Sequence, residues 1–320
     1  MEDTAFFNET IIRPIGFFIA GFTDLSYESW FWGFLCLVYI LTLHSNALIV
    51  LIIWYEQSLH TPKYFAICHL AVIDACCSTA VIPKAIDTFL LNHKFIKYEI
   101  CMCSLFFVHF FVGMQSFSLV LLAYDRLIAI CFPLHQHTIN TPTRMFLIVI
   151  ILWVIMGVLV TIPVILIGNL SYCNSVVVKS YFCDHGPLIY LACNDYSLNA
   201  EMGNLYVMVV ILGPLCFIIF TYMCIFRALT KLSSSDSQKA FKTCTSHLIL
   251  VGIYYTPLLL TYFTVMAGYS ISTNARILNS SLSVSIPPML NPIIYTLKTE
   301  EIMEKIRKHY LRRKLTPSYK

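Results

Sequence analysis

The sequence predicts an all-α membrane protein, a seven-transmembrane helix bundle followed by a short C-terminal amphipathic helix, and three observations predict it. Of its 320 residues 58% are hydrophobic and only 12% are charged, too few charges to clothe a soluble domain. The apolar residues gather in seven runs, each reaching the ~20 residues that cross a hydrocarbon core. With the N-terminus outside, inner segments hold fifteen Lys and Arg residues and outer segments six, of 21 in all, as the positive-inside rule requires. The chain then divides into an outer tail (1–28), a membrane domain (29–297) and a cytoplasmic segment (298–320), a multi-pass plasma-membrane topology.

In order, the first residues, MEDTAFFNET, are acidic and lack the basic start and small-residue cleavage site of a signal peptide, so the first span is expected to act as signal anchor. Asn8-Glu9-Thr10 is a glycosylation sequon, meaningful on the outer side. The spans run from Ser29 to Tyr55, Tyr64 to Leu91, Cys101 to Ile130, Met145 to Gly168, about Asn199 to Phe226, about Phe241 to Gly268 and about Ile277 to Leu297. Pro163, Pro214, Pro257 and Pro292 fall inside spans, where each removes a backbone hydrogen bond and permits a hinge. The inner loop LSSSDSQK, Leu232 to Lys239, reads as a flexible linker. Beyond Leu297, Ile302, Met303, Ile306 and Tyr310 fall at helical spacing among Lys305, Lys308 and Arg312, an amphipathic helix suited to the anionic lipid of the inner leaflet. No basic patch marks a nucleic-acid partner.

Ionisable groups inside the spans are the functional signal. A charge near a membrane-helix centre costs roughly 2.5–3.5 kcal/mol on insertion scales, so Asp74, the Asp125-Arg126 pair, and polar Asn46 and Asn291 should find one another or water across the bundle. The Asp125-Arg126 pair lies about one bilayer thickness beyond Cys101, at the inner interface. Of thirteen cysteines, Cys36, Cys68, Cys76, Cys77, Cys216 and Cys224 read as packing residues. Cys101, Cys173, Cys183 and Cys193 lie on the oxidising side, enough for two disulfides with three connectivities open, and nearby Cys103 is a further candidate. Inverted repeats and a charged pore ring, the marks of a transporter or channel, are not evident. His44, His69, His109 and His247 lie on different helices without an HExxH pattern, so neither an enzyme nor a metal or other cofactor is expected.

The run LLAYDRLIAICFPLHQ, Leu121 to Gln136, resembles the third-helix signature of vertebrate odorant receptors. LHTPKYFAICHLAVID (Leu59 to Asp74), KAFKTCTSHL (Lys239 to Leu248) and PPMLNPIIY (Pro287 to Tyr295) resemble that family's second, sixth and seventh helices, and Asn291-Pro292-Ile293-Ile294-Tyr295 matches the NPxxY motif of rhodopsin-like receptors. YFCDHGPLIYLACND, Tyr181 to Asp195, looks like the family's long second outer loop, and its LACND suggests the fish-like class. The resemblance implies the pairs Cys101 with Cys183 and Cys173 with Cys193, which would hold the loop as a lid. It also implies an odorant ligand and, as partner, a heterotrimeric G protein of the stimulatory olfactory type that raises cyclic AMP. Arg126 is the expected inner latch, paired with Asp125 at rest and with Tyr222 and Tyr295 when active, and Asp74, Asn291 and Pro292 complete the switch. A related receptor with a non-odorant ligand is the alternative.

The chain departs from the family at Leu122 and Leu127, where Met and Tyr are usual. Gln115 stands where many members carry Glu, which removes the second acid of a two-acid sodium site. Met266 stands where fish-like members place an Arg for an acid ligand.

The default ligand site of such a bundle is the outer cavity beneath the lid. Expected on its wall are Met102, Phe106, His109 and Gly113 on one face of the third helix, and Met208, Ile211 and Leu212 on the fifth. Tyr255, Leu259 and Tyr262 are expected on the sixth, Ser281 on the seventh and His185 on the lid. Such a wall suits a small organic molecule. The seventh span lacks a Lys for a retinal Schiff base, and Val108 and His109 occupy the third-helix place where amine receptors carry a ligand-pairing Asp.

Overall fold

A computed structural model describes residues 11–22, 28–173, 175–231, 233–269, 271–298, 301 and 303–305. Asn8 and most of the expected amphipathic helix, Ile302, Ile306 and Tyr310 included, lie outside these residues. Seven helices cross the molecule: α1 (Glu28–Tyr55), α2 (Pro62–Phe89), α3 (Tyr98–Cys131), α4 (Pro142–Gly168), α5 (Ser197–Leu229), α6 (Ser234–Met266) and α7 (Thr273–Lys298). By length and composition α1 to α6 can each cross a membrane. The more polar seventh helix carries Pro287, Pro288 and Pro292.

Local chemistry starts these helices. α2 and α4 both begin at a Thr-Pro step, Thr61-Pro62 and Thr141-Pro142. Proline at the first helical position lacks an N–H that would have no partner anyway. Thr141 Oγ1 accepts from the Arg144 N–H at 3.3 Å, a side-chain cap. The polar stretch expected to be a linker is largely helical instead, because Ser237 N donates to Ser233 O and closes the first turn of α6. At the other inner corner Met303 to Lys305 are helical, and Lys305 Nζ reaches Glu56 Oε2 at 2.7 Å while the Tyr64 hydroxyl donates to Glu301. The start of the C-terminal segment is thereby tied to the α1–α2 corner.

α3 is the central post, packed against α2, α4, α5 and α6. Its core partners include Met114, Leu119 and Leu122 with Ile67, Leu70, Val149, Met156, Val210, Ile218 and Leu250. The outward faces stay apolar: Leu37, Ile40, Val154, Ile165, Phe220 and Leu260 are all exposed, as a lipid-facing surface demands. α5 is not uniform. Its middle, Val207–Leu212, is a π-helix running into Pro214, and a π segment advances fewer degrees per residue than the 3.6-residue period.

The outer end holds strands that the all-helical expectation omits. β1 (Gly16–Ile19) is the central strand of a small sheet, antiparallel to β2 (Phe95–Lys97) and parallel to β3 (Val177–Val178). Gly16 is required there: a Cβ would lie 2.2 Å from the Ile96 carbonyl oxygen. Phe17 and Ile19 are buried, with Cys101, Leu105, Ile167, Tyr172, Val178 and Leu188, in an outer core that seats the lid on α3 and α4. Trp32 stacks on Phe89 with centroids 4.4 Å apart and fixes α1 against the outer end of α2.

Candidate functional site

Both implied disulfides are formed, Cys101–Cys183 and Cys173–Cys193, with Cα separations of 5.5 and 5.9 Å. Cys103 is free and exposed. The first bridge pins the loop to the outer end of α3. The second closes the loop on itself, where Asn194 Oδ1 also accepts from Ser171 N at 2.9 Å. Beneath this lid, between α3, α4, α5, α6 and α7, lies a cavity of about 540 Å³, a size suited to a small organic ligand.

Of the side chains expected on its wall, His109, His185, Ile211 and Tyr262 line it. The others sit elsewhere, for separate reasons. On α3 the lining face is Leu105, Val108, His109, Val112 and Gln115, turned from the expected one by about a residue. The Met102–Phe106–Gly113 side faces other elements: Met102 packs on the outer core, and Phe106 stacks on Phe110, which meets Trp153 of α4 edge-on. At Gly113 a Cβ would lie 2.2 Å from Met156 Cε and 2.9 Å from Val210 Cγ1. The same turn recurs on α6, where Tyr254, Leu258 and Thr261 line the cavity in place of Tyr255 and Leu259. Leu259 packs against the main core. On α5 the π segment sends Met208 outward, 51% exposed, leaves Leu212 off the wall, and presents Val207 and Ile211. Ser281 is fully buried with its Oγ donating to Leu278 O, while Ser280 and Ser283 face the cavity.

The aromatic hydroxyls brace the walls. Tyr206 donates to His109 O and Tyr254 to Val112 O, both at 2.6 Å. His109 Nδ1 lies 2.9 Å from Leu105 O, and since a carbonyl only accepts, Nδ1 carries the proton. Nε2 then points at Asp184 Oδ1 across 3.6 Å, an ion-pair distance but too long for a hydrogen bond. Burial, with the neighbouring His109 adding to it, holds His185 down to about 4, so it is neutral at physiological pH. Among the cavity residues that sequence reasoning missed, Asp184 is the acidic one; its signal was its place between Cys183 and His185 in a loop tied over the cavity.

Below the cavity the polar set closes on Asp74. Gln115 Nε2 donates to its Oδ1 at 2.8 Å and Asn291 Nδ2 to its Oδ2 at 2.7 Å. Asn46 Nδ2 donates at 3.0 Å to the Pro288 carbonyl, which Pro292, four residues on, cannot serve. Ser116 does the same for α5: its Oγ donates at 2.6 Å to Val210 O, which lacks an N–H from Pro214. Since that proton is committed, the Tyr255 hydroxyl, 2.7 Å away, is the donor to Ser116.

At the inner end the expected resting latch takes a different form. The Asp125 carboxylate accepts from Asn140 Nδ2 at 2.8 Å, and Arg126 makes no ion pair among the described residues. Asn140 sits after the short helix Gln136–Ile139, one inner-loop turn from Asp125, and supplies the donor without competing charges. Arg126 Nε, the Tyr295 hydroxyl and Thr221 Oγ1 are buried without partners. His247 Nε2 lies 3.1 Å from Leu119 O and therefore donates, leaving Nδ1 to accept from the Tyr222 hydroxyl at 2.9 Å. Tyr222 is thus engaged with α6.

The comparisons agree with this architecture. The family model described as olfactory receptor matches residues 35–313. Human olfactory receptor 52J3 is 34% identical, over 93% of this chain and 96% of its own length. Human olfactory receptor 52B2 is 35% identical over 93% of both, and the dog olfactory receptor-like protein OLF4 32% identical over 89% of this chain and 93% of its own. The crystal structure of squid rhodopsin superimposes with a TM-score of 0.73, covering 94% of this chain and 90% of that one at 17% identity, a likeness of fold. With the family model matched over residues 35–313 and such relatives over nearly their whole length, the chain belongs to the olfactory receptor family, and is a multi-pass membrane receptor rather than an enzyme.

Proposed function

We propose that the chain binds a small organic odorant in the cavity beneath the disulfide-tied lid and, on binding, activates a stimulatory olfactory-type G protein that raises cyclic AMP, with its N-terminus outside and C-terminus in the cytoplasm. The cavity carries this reading: about 540 Å³ with largely apolar and aromatic walls and a few polar side chains among them. The ligand acts only through its differential affinity for resting and active arrangements. In the resting arrangement Tyr222 bonds to His247 and ties α5 to α6; activation swings the inner end of α6 outward, breaks that bond and frees Tyr222 for Arg126. The buried, unpartnered Arg126 Nε and Tyr295 hydroxyl support a rearrangement that pairs them directly or through water.

The test is cyclic AMP in cells expressing the intact chain or Arg126→Ala, both confirmed at the surface, against a panel of acids, aldehydes, alcohols and amines. A response lost in the variant is expected. A ligand response of full size in Arg126→Ala, or an ion current in place of cyclic AMP, overturns the mechanism.

A further inference from the structure

The cavity's hydrogen-bonding capacity is unevenly spent. Deep in the bundle the polar groups are satisfied by the protein: Gln115 by Asp74, Tyr254 by Val112 O, Thr261 by Pro257 O and Ser283 by Ser280 O. Under the lid they are open. The Asp184 carboxylate lines the cavity, makes no cap bond to the turn that follows it, and has His109 Nε2 as a neighbouring basic nitrogen at 3.6 Å, beyond hydrogen-bond distance. His185 Nε2 is buried without a partner. Nδ1 of His109 holds its proton against Leu105 O, so its other nitrogen, Nε2, is the one facing Asp184, and His185 Nε2 is likewise uncommitted. The one carboxylate on the cavity wall thus has no hydrogen-bond donor held to it among the described residues. None of the residues lining the cavity is Lys or Arg, so Asp184 is the one acidic side chain on a wall without a fixed cation, and Tyr262 and Phe182 are aromatic residues of the same wall.

We propose that the ligand is a small protonated primary amine, its ammonium seated among Asp184, His109 and His185 and its apolar body against Val108, Val112 and Leu258. This rests on the odorant-receptor reading above and names its ligand class. An ammonium brings a full positive charge and N–H donors to the uncapped Asp184 carboxylate. A carboxylate ligand would meet Asp184 with no fixed cation to offset it, and an alcohol would supply one donor and leave the charge uncompensated. The carboxylate comes from the lid, so the lack of an Asp at Val108 or His109 does not oppose this assignment.

The test is direct binding to purified full-length receptor in lipid nanodiscs with four ligands of one chain length: n-octylamine, N,N-dimethyloctylamine, octan-1-ol and octanoic acid. Charge-assisted hydrogen bonds of this kind are worth about ten-fold or more in affinity. The primary amine is expected to bind about ten-fold tighter than the alcohol and than the dimethylated amine, with the acid weakest. Asp184→Asn should abolish that preference and Asp184→Glu should retain it. Equal or tighter binding of the acid or the alcohol, no preference for the primary over the dimethylated amine, no binding of any amine, or an Asp184→Asn receptor that keeps its amine affinity would each overturn the proposal. Amine binding without a cyclic AMP response would overturn the signalling reading alone, and a cyclic AMP response to alcohol or acid but not amine would overturn the ligand class alone.

Discussion

Ser116→Ala tests whether the junction of α3, α5 and α6 works as the geometry says. The Ser116 oxygen gives its proton to Val210 O and receives that of Tyr255, and Ser116, Val210 and Tyr255 are 0, 0 and 2% exposed, so water does not replace what the substitution removes. Interhelical hydrogen bonds in membrane proteins average about 0.6 kcal/mol and reach about 1.7, so losing both should cost roughly 1–3 kcal/mol. Tyr255→Phe removes only one of the two. In the double variant the phenol is no longer orphaned, and its cost should be no greater than that of Ser116→Ala alone, a departure from additivity of about one hydrogen bond. Pro214→Ala supplies an N–H within reach of the Val210 carbonyl, and in that background Ser116→Ala should cost about half as much. The assay is equilibrium or thermal unfolding of each variant in nanodiscs. Strict additivity of Ser116→Ala and Tyr255→Phe, or a Ser116→Ala receptor as stable as the parent, would refute the reasoning.

Three further outcomes follow from other sites. His185 is neutral in the folded lid down to about pH 4 but takes a proton near 6.5 when unfolded; its contribution is whole above pH 6.5 and is lost as pH falls from 6.5 toward 4. That loss is up to about 3 kcal/mol, and melting temperature against pH should flatten over that window in His185→Gln. Gly113→Ala drives a methyl into Met156 and Val210 and should cost about 1–3 kcal/mol as overpacking, and Met156→Ala should cost less in that background than in the parent in an unfolding assay. Replacing Cys173 and Cys193 together by Ser opens a loop of sequence separation 20, worth roughly 3 kcal/mol on loop-entropy grounds, and should appear as faster proteolysis of the lid while Cys101–Cys183 stays formed.

Hydropathy was enough to place seven helices, because crossing a bilayer demands length and apolarity that little else imitates. Rotation about each helix axis was not legible. In a soluble helix the apolar stripe names the buried face, but in this bundle lipid-facing Leu260 and core-facing Leu250 are alike apolar, so the faces of α3 and α6 were read about one residue out. On α5 the miss at Met208 has a different cause, since a π segment breaks the period used to count faces. The disulfide partners came from family likeness, as three connectivities suited the cysteines. Asp125 was expected to pair with the neighbouring charge; a neutral Asn140, fifteen residues away, has no pattern to announce it. The strands were missed because each is four residues or fewer.

The order of that outer sheet also sets a timetable for biosynthesis. β1 is its central strand and the first part of it to be made, yet its parallel partner at Val177 and Val178 is made only after four membrane helices. At ~5–20 residues per second that is a wait of roughly ten seconds or more, at the end of which Phe17 and Ile19 have gained β2 and the outer end of α3 but still lack Val178, Cys183 and Leu188 of their core. Completion of the second outer loop is therefore the step that closes the outer core over Phe17 and Ile19.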